Sequence, residues 1–307
     1  MSAGTPDSHP LVHLSSDVPE LGHDARPVLL HALDGFLSAG SAGRLAAVHL
    51  TGDADHVMAR FDTDVLHDYR ARRPGLVFDQ DHYAGYDGPQ LVVRLLHDRE
   101  GTPYLLLAGP EPDFRWEQFT TGVREVVERF GVSLTIGIGS VPMGVPHTRP
   151  TLITTHASRR ELVDRPNVWR GRLLVPASAQ AVLELRLGES GHDAMGYVAH
   201  VPHYLAAVDF PAAAVALLEA VAAKTGLQLD LEPLREAAAA SMAAIDEQVA
   251  EQDGATVVAE LEQQYDAFTR SAGESLAEQE GPLPSADELG RQVEQFLATL
   301  DRRDDRG

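Results

Sequence analysis

The sequence has no cysteine and a single lysine, Lys224, in 307 residues. The first absence excludes disulfides, a thiolate nucleophile and cysteine-ligated zinc. The second leaves no good candidate for a phosphate-gripping or Schiff-base lysine, because Lys224 precedes Thr225-Gly226 at the end of a helical stretch, where a cation offsets the helix dipole. No apolar run approaches the roughly 20 residues that a membrane helix needs, and no membrane association is expected. Positive charge is short as well. The formal net charge of −21 argues against nucleic acid, whose affinity comes largely from basic side chains on phosphates. The opening MSAGTPDSHP has neither the basic nor the apolar region of a signal peptide, so a cytoplasmic protein is expected.

What is present is ordinary for a globular chain: 44% hydrophobic and 23% charged residues, enough for one large domain or two smaller ones. The acidity is uneven. From Asp230 to Gly307 there are 19 Asp+Glu against 6 Arg, net −13 of the total −21. Three regions are expected: a flexible lead-in over 1–10, an α/β domain over 11–231, and an acidic helical region over 232–307. Such a region is more often a solvated face than a partner site. Its helical stretches are expected at 233–252, 256–270 and 286–300.

The organising unit runs from Tyr104 to Ser140. Tyr104 to Ala108 is a continuous apolar run, as in a strand covered on both faces, and Gly109, Pro110 and Pro112 then break it. Asp113 is the expected N-cap of a helix whose stripe is Trp116, Phe119, Val123, Val126, Val127 and Phe130. Gly131 stops it, and Ser133 to Ile138 returns as the next strand. Further strands are expected at 11–14, 28–36, 57–61, 76–78, 90–97, 152–155 and 197–201. DQDHYAGYDG (79–88) and the proline-rich VPMGVPHTRP (141–150) read as loops. A helix with Pro211 in its first turn is expected to be capped by Asp209.

No catalytic signature is complete. GFLSAGS (35–41) has glycines at P-loop spacing, but Ser41 stands where the lysine is required, so a structural turn is favoured over an anion cradle. Gly137-Ile-Gly139 lacks the third glycine and the immediate helix of a dinucleotide fingerprint. Ser140 lacks the flanking glycines of a nucleophile elbow. His200 and His203 sit three apart at a strand end, where α/β sheets hold ligands, with hydrogen-bonded structural histidines as the plainer alternative. Arg70, Arg72 and Arg73 could clamp an anion or pair across an interface. With the Asp34-Gly35 turn, these residues are the candidate pocket or interface. No catalytic residue, metal or cofactor is assigned.

Taken in order, ALDGFLSAGSAGRLA (32–46), DYRARRP (68–74), LLLAGPEPDFRWEQF (105–119), IGIGSVPMGVPHTRP (136–150) and GYVAHVPHYLAAVDFPAAAVALLEA (196–220) resemble the proteasome assembly chaperone 2 family in its bacterial form. The resemblance covers about 11–231. It implies an α/β domain with a three-layer, mostly parallel sheet similar to the purine nucleoside phosphorylase-like fold, with the helical region appended. It implies a homo-oligomer (a trimer is one candidate), protein partners related to the proteasome, and no established reaction. The chain ends Asp305-Arg306-Gly307, without the hydrophobic-Tyr-any motif of archaeal relatives, so docking into proteasome pockets by that route is not expected. The expected function is therefore non-catalytic binding of protein partners. The alternative is a small-molecule binder or enzyme for nucleosides, nucleotides or phosphate.

Overall fold

The computed structural model describes residues 11–16, 21, 26–52, 56–163, 172–251 and 254–277. The expected flexible lead-in and the helix over 286–300 lie outside them. In chain order the strands are β1 (Val12–Leu14), β2 (Val28–Asp34), β3 (Val57–Phe61), β4 (Gly75–Asp79), β5 (His82–Asp87), β6 (Val92–His97), β7 (Pro103–Pro110), β8 (Leu134–Met143), β9 (Ile153–Ala157) and β10 (Ala194–Pro202). The helices are α1 (Ala42–Thr51), α2 (Thr63–Leu66), α3 (Trp116–Arg129), α4 (Ala179–Glu189), α5 (Pro211–Thr225), α6 (Glu232–Glu251) and α7 (Ala255–Ala277). Residues up to Glu262 form one compact unit, and the rest of α7 belongs to a second, 263–307. Among the described residues, no helix is long and apolar enough to cross a membrane.

Eight strands form one sheet in the order β1-β3-β6-β7-β2-β8-β10-β9. The central four, β7, β2, β8 and β10, run parallel. Antiparallel strands extend the sheet at both edges, which makes it mixed. Strand alternation sends Leu30, Ala32, Leu106, Ile136 and Ile138 to a core shared with α1, α5 and α6. Leu29, Leu33, Leu105 and Leu107 go to the opposite core with α3 and α4. Both faces of the central strands are thus covered, which is why their sequences are continuously apolar. The α3 stripe behaves as its spacing predicts, with Phe119, Val123, Val126 and Val127 buried.

β7 and β8, joined through α3, have β2 between them in the sheet. Several local expectations change. The break expected at Gly109-Pro110 comes later, since β7 continues through Pro110. Likewise β8 continues through Ser140 to Met143. Beyond Gly137 it has left its β2 register and pairs with β10, and a proline is tolerated on such a one-sided stretch. Neither expected N-cap caps. α3 follows Arg115, whose φ is +57°, and Asp113 is engaged elsewhere. α5 follows Phe210, while Asp209 pairs with Arg44 at 2.6 Å. The loop expected over 79–88 contains β5, which pairs antiparallel with β4 as a separate two-stranded sheet.

Candidate functional site

The C-terminal ends of β2 and β7 meet at Glu111, a residue that the sequence did not single out. Its backbone amide donates to the Asp34 carbonyl at 3.0 Å, which fixes the two strand ends together. Its side chain is buried, and both carboxylate oxygens are used. One accepts from the Phe36 amide at 2.8 Å, and the other from the Ala179 amide at the start of α4 at 2.6 Å. Gly35 is required by this arrangement, since a Cβ there would sit 2.0 Å from the Glu111 Oε2. One carboxylate therefore ties together the 35–41 turn, the end of β7 and the first turn of α4.

Arg72 closes the same corner from outside. Its guanidinium donates to the Asp34 carbonyl at 3.3 Å, to the Glu111 carbonyl, and to Asp113 Oδ1 at 2.7 Å. Asp113 also accepts from the Asp68 amide at 2.7 Å. Burial pushes the Asp113 carboxyl up, but the Arg72 guanidinium and the Asp68 amide outweigh it and hold the group below the usual carboxylate range. Arg70 and Arg73 are exposed, and among the described residues neither guanidinium forms an ion pair; the Arg70 amide donates to the Asp68 carboxylate at 2.9 Å.

The glycine turn is occupied by its own structure. Gly35, Phe36, Gly40 and Ser41 donate their amides to Ser38 Oγ, Glu111, the Ala206 carbonyl and the Ser38 carbonyl. Ser140 donates its hydroxyl to the Ala39 carbonyl at 2.6 Å, so it is a strut for the turn. This matches the structural turn expected of GFLSAGS.

The histidines do not join that corner. His200 is buried on β10, and its Nε2 contacts the Thr154 hydroxyl on β9 at 2.8 Å, with burial lowering its pKa. His203 is exposed and stacks edge-on against Tyr204, with centroids 5.4 Å apart. It lines a cavity of about 260 Å³ with Ile245, Val249 and Val257. So Asp34, Gly35 and Arg72 converge, Arg70 and Arg73 flank them, and His200 and His203 face elsewhere.

Two polar clusters, each built on a buried histidine, also escaped the sequence. His147 contacts the Tyr204 hydroxyl through Nδ1 at 2.7 Å and Asp246 on α6 through Nε2 at 3.0 Å, pinning α6 to the domain. On the other face of the sheet, His31 of β2 lies over Gly137, where a Cβ would be 2.6 Å from its ring and 2.9 Å from the Gln180 amide. Burial lowers the His31 pKa to about 3, helped by the charge of nearby His156 and opposed by the Gln180 amide. Gln180 leans toward the ring, yet neither its amide atoms nor His31 Nδ1 makes a hydrogen bond of ordinary geometry. The glycines of IGIG thus provide space for polar side chains on this face. Among the described residues no three His, Asp or Glu side chains are grouped to hold a metal ion.

The segments that meet at the Glu111 corner also carry exposed apolar residues. Phe36 and Phe114 are at least half exposed, and so are Leu173, Leu174 and Val175 in the segment leading to α4.

Residues 32–249 match the model of the PAC2 family. No curated protein matches the chain. Among solved structures, a Mycobacterium tuberculosis protein of unknown function is 49% identical with a TM-score of 0.81, covering 87% of this chain and 94% of its own. A Corynebacterium glutamicum protein of unknown function is 38% identical with a TM-score of 0.79, over 84% of this chain and 97% of its own. A Mycobacterium tuberculosis proteasome-assembly chaperone homologue is 24% identical with a TM-score of 0.70, over 76% of this chain and 99% of its own, a likeness of fold.

Proposed function

The chain belongs to the PAC2 family, and from that premise we propose that it is a non-catalytic, chaperone-like protein of the cytoplasm that self-associates and binds protein partners, among them proteasome-related ones. The observation that carries this reading is the exposed apolar side chains in the segments that meet at the strand ends. Phe36, Phe114, Leu173, Leu174 and Val175 are 50 to 103% exposed, next in the chain to a corner where Glu111, Arg72 and Asp113 are internally paired. Paired polar groups leave little for general acid–base or nucleophilic work, whereas exposed apolar residues of this size are what a protein partner covers. The shared fold with the proteasome-assembly chaperone homologue is consistent with it. Affinity capture with the full chain from its native cells should recover a stoichiometric protein partner, and Phe36→Ser with Phe114→Ser should lose it. Recovery of no stoichiometric partner would sink the proposal.

A small-molecule function on a sheet similar to the purine nucleoside phosphorylase-like fold is favoured by one feature. A cavity of about 560 Å³ opens beside Asp34, between α1 and the ends of β2 and β7, with half-buried Arg94 on its wall. That volume lies in the range of ligand pockets. Thermal-shift measurements with inorganic phosphate, adenosine and AMP test it. Stabilisation that disappears in Arg94→Leu supports a ligand, and no shift with any of the three removes this alternative.

A further inference from the structure

β6 reads VVRLLH, and strand alternation puts Arg94 on the same face as Val92 and Leu96, both buried. A cation on the core face of a strand is costly unless something compensates it. Here nothing in the chain does. Arg94 is half-buried, and among the described residues its guanidinium makes no hydrogen bond or ion pair. Burial and the charge of nearby Arg60 both pull its pKa down, so its surroundings disfavour the charge it carries. Over it opens the cavity of about 560 Å³, walled by Ala47 and Val48 of α1 and by Ala32 and Ala108 of the sheet.

The other end of that cavity is acidic. Asp34 closes β2, and Asp87 closes β5. Gln90 lies beside them because the backbone of β7 at Gly109 presses on the start of β6, where a Cβ would sit 2.1 Å from the Gln90 carbonyl oxygen. The Asp34 carbonyl is held by Arg72 and the Glu111 amide, which fixes its backbone. Its carboxylate, the Asp87 carboxylate and the Gln90 amide have no partner among the described residues. Arg44 lines the same cavity but is neutralised by Asp209 at 2.6 Å. Unpaired groups of both signs therefore share one cavity, while Glu111, Arg72 and Asp113 next to it are all engaged.

The sheet register separates the two signs. Arg94 stands opposite Leu106, and Leu106 opposite Leu30. Asp34 is four residues farther along β2, about 13 Å at the rise of a strand. We propose that the cavity binds a short peptide of about three residues with free ends, its carboxylate on Arg94 and its ammonium at Asp34 and Asp87. Three extended residues span about 10 Å, and the side chains at either end close the remainder. A guanidinium fork meets a carboxylate through two parallel hydrogen bonds, and carboxylates accept from an ammonium. Inorganic phosphate would satisfy Arg94 but face the two aspartates unfavourably. A nucleoside has no anion for Arg94, and no aromatic side chain among the described residues lines the cavity for its base to stack on. A zwitterion of this length satisfies both ends.

The inference rests on the second reading of the function, that the cavity beside Asp34 takes a small molecule, and its test separates the two. Calorimetric titration of the full chain should show binding of trialanine. Blocking the carboxylate as an amide, or the amine as an acetamide, should each weaken binding by at least about tenfold, the size of one charge-assisted hydrogen bond. Arg94→Leu should weaken trialanine to the same extent and erase the preference for the free acid over the amide. Asp34→Asn with Asp87→Asn should erase the preference for the free amine over the acetylated one, with unchanged circular dichroism because both sites are exposed. Equal binding of the three peptide forms overturns the inference, and so does alanine binding as tightly as trialanine. If trialanine fails to bind while phosphate, adenosine or AMP raises the melting temperature, the peptide falls and the small-molecule reading stands. No response to any of these ligands overturns both.

Discussion

Acidification should destabilise this protein through His31. The ring is fully buried between β2 and α4 and its pKa falls to about 3 from an ordinary 6.5, with burial as the main cause. A group depressed in the folded state is protonated first in the unfolded chain, so it favours unfolding as pH drops below 6.5. Its contribution is fully present above that value and is lost between pH 6.5 and 3. At pH 5 the loss is about 2 kcal/mol, set almost entirely by the unfolded value so long as the buried one stays below about 4. Below pH 3 it levels off near 5 kcal/mol, a large part of a typical domain's stability. The measurement is urea unfolding of wild type and His31→Gln at pH 7.5 and 5.0. Other titrating groups, including buried His200, are common to both chains and cancel in the difference. Wild type should lose about 2 kcal/mol more than the variant between the two pH values. Equal losses, or a His31 ring signal titrating near 6.5 in the folded protein, would refute the reasoning.

Gly35→Ala should cost about 2 kcal/mol or more, because its Cβ would sit 2.0 Å from the Glu111 carboxylate. In a Glu111→Ala background, itself destabilised by about 2–4 kcal/mol for two stranded amides, the same change should cost far less, so a double-mutant cycle by urea unfolding should show strong coupling. Asp246→Asn leaves His147 a weaker partner on α6, and hydrogen exchange should rise in α6 while the central strands stay protected. Arg72→Lys cannot reproduce the fork onto Asp34, Glu111 and Asp113, so limited proteolysis should speed up between 67 and 88 with little change elsewhere.

The sequence was most legible where one periodicity covers one environment. β2 and β7 are apolar on both faces, and the α3 stripe is unambiguous, so these elements read correctly. Elements shaped by exceptions did not. The bulge in β4–β5 breaks the alternation of Tyr83 and Tyr86, which left a strand looking like an acidic loop. Pro142 suggested an end to β8, but at that point β8 has β10 as its only strand neighbour. Asp113 and Asp209 have the composition of caps, yet arginines from distant segments, Arg72 and Arg44, claim them. At the candidate corner, Asp34, Gly35 and Arg72 were visible through turn chemistry and charge. Glu111 was not, because a lone glutamate between prolines gives no local sign of burial. The clue was Gly35 itself, a glycine at a strand end that needs no unusual φ and so signals a close neighbour. His200 and His203 share a strand end in sequence but belong to different surroundings, one facing β9 and the other the α6 side.

The position of β2 sets a schedule for synthesis. Leu29 finds its partner Leu105 only after 76 more residues have been made, and Val28 finds Leu134 later still. At about 5–20 residues per second, the central strand waits roughly 4–15 seconds for its first parallel neighbour. Through that interval Leu29, Leu30 and Leu33 are without the sheet that later buries them. Until its neighbours arrive, the strand that will sit at the centre of the sheet is the apolar stretch most open to non-native contacts.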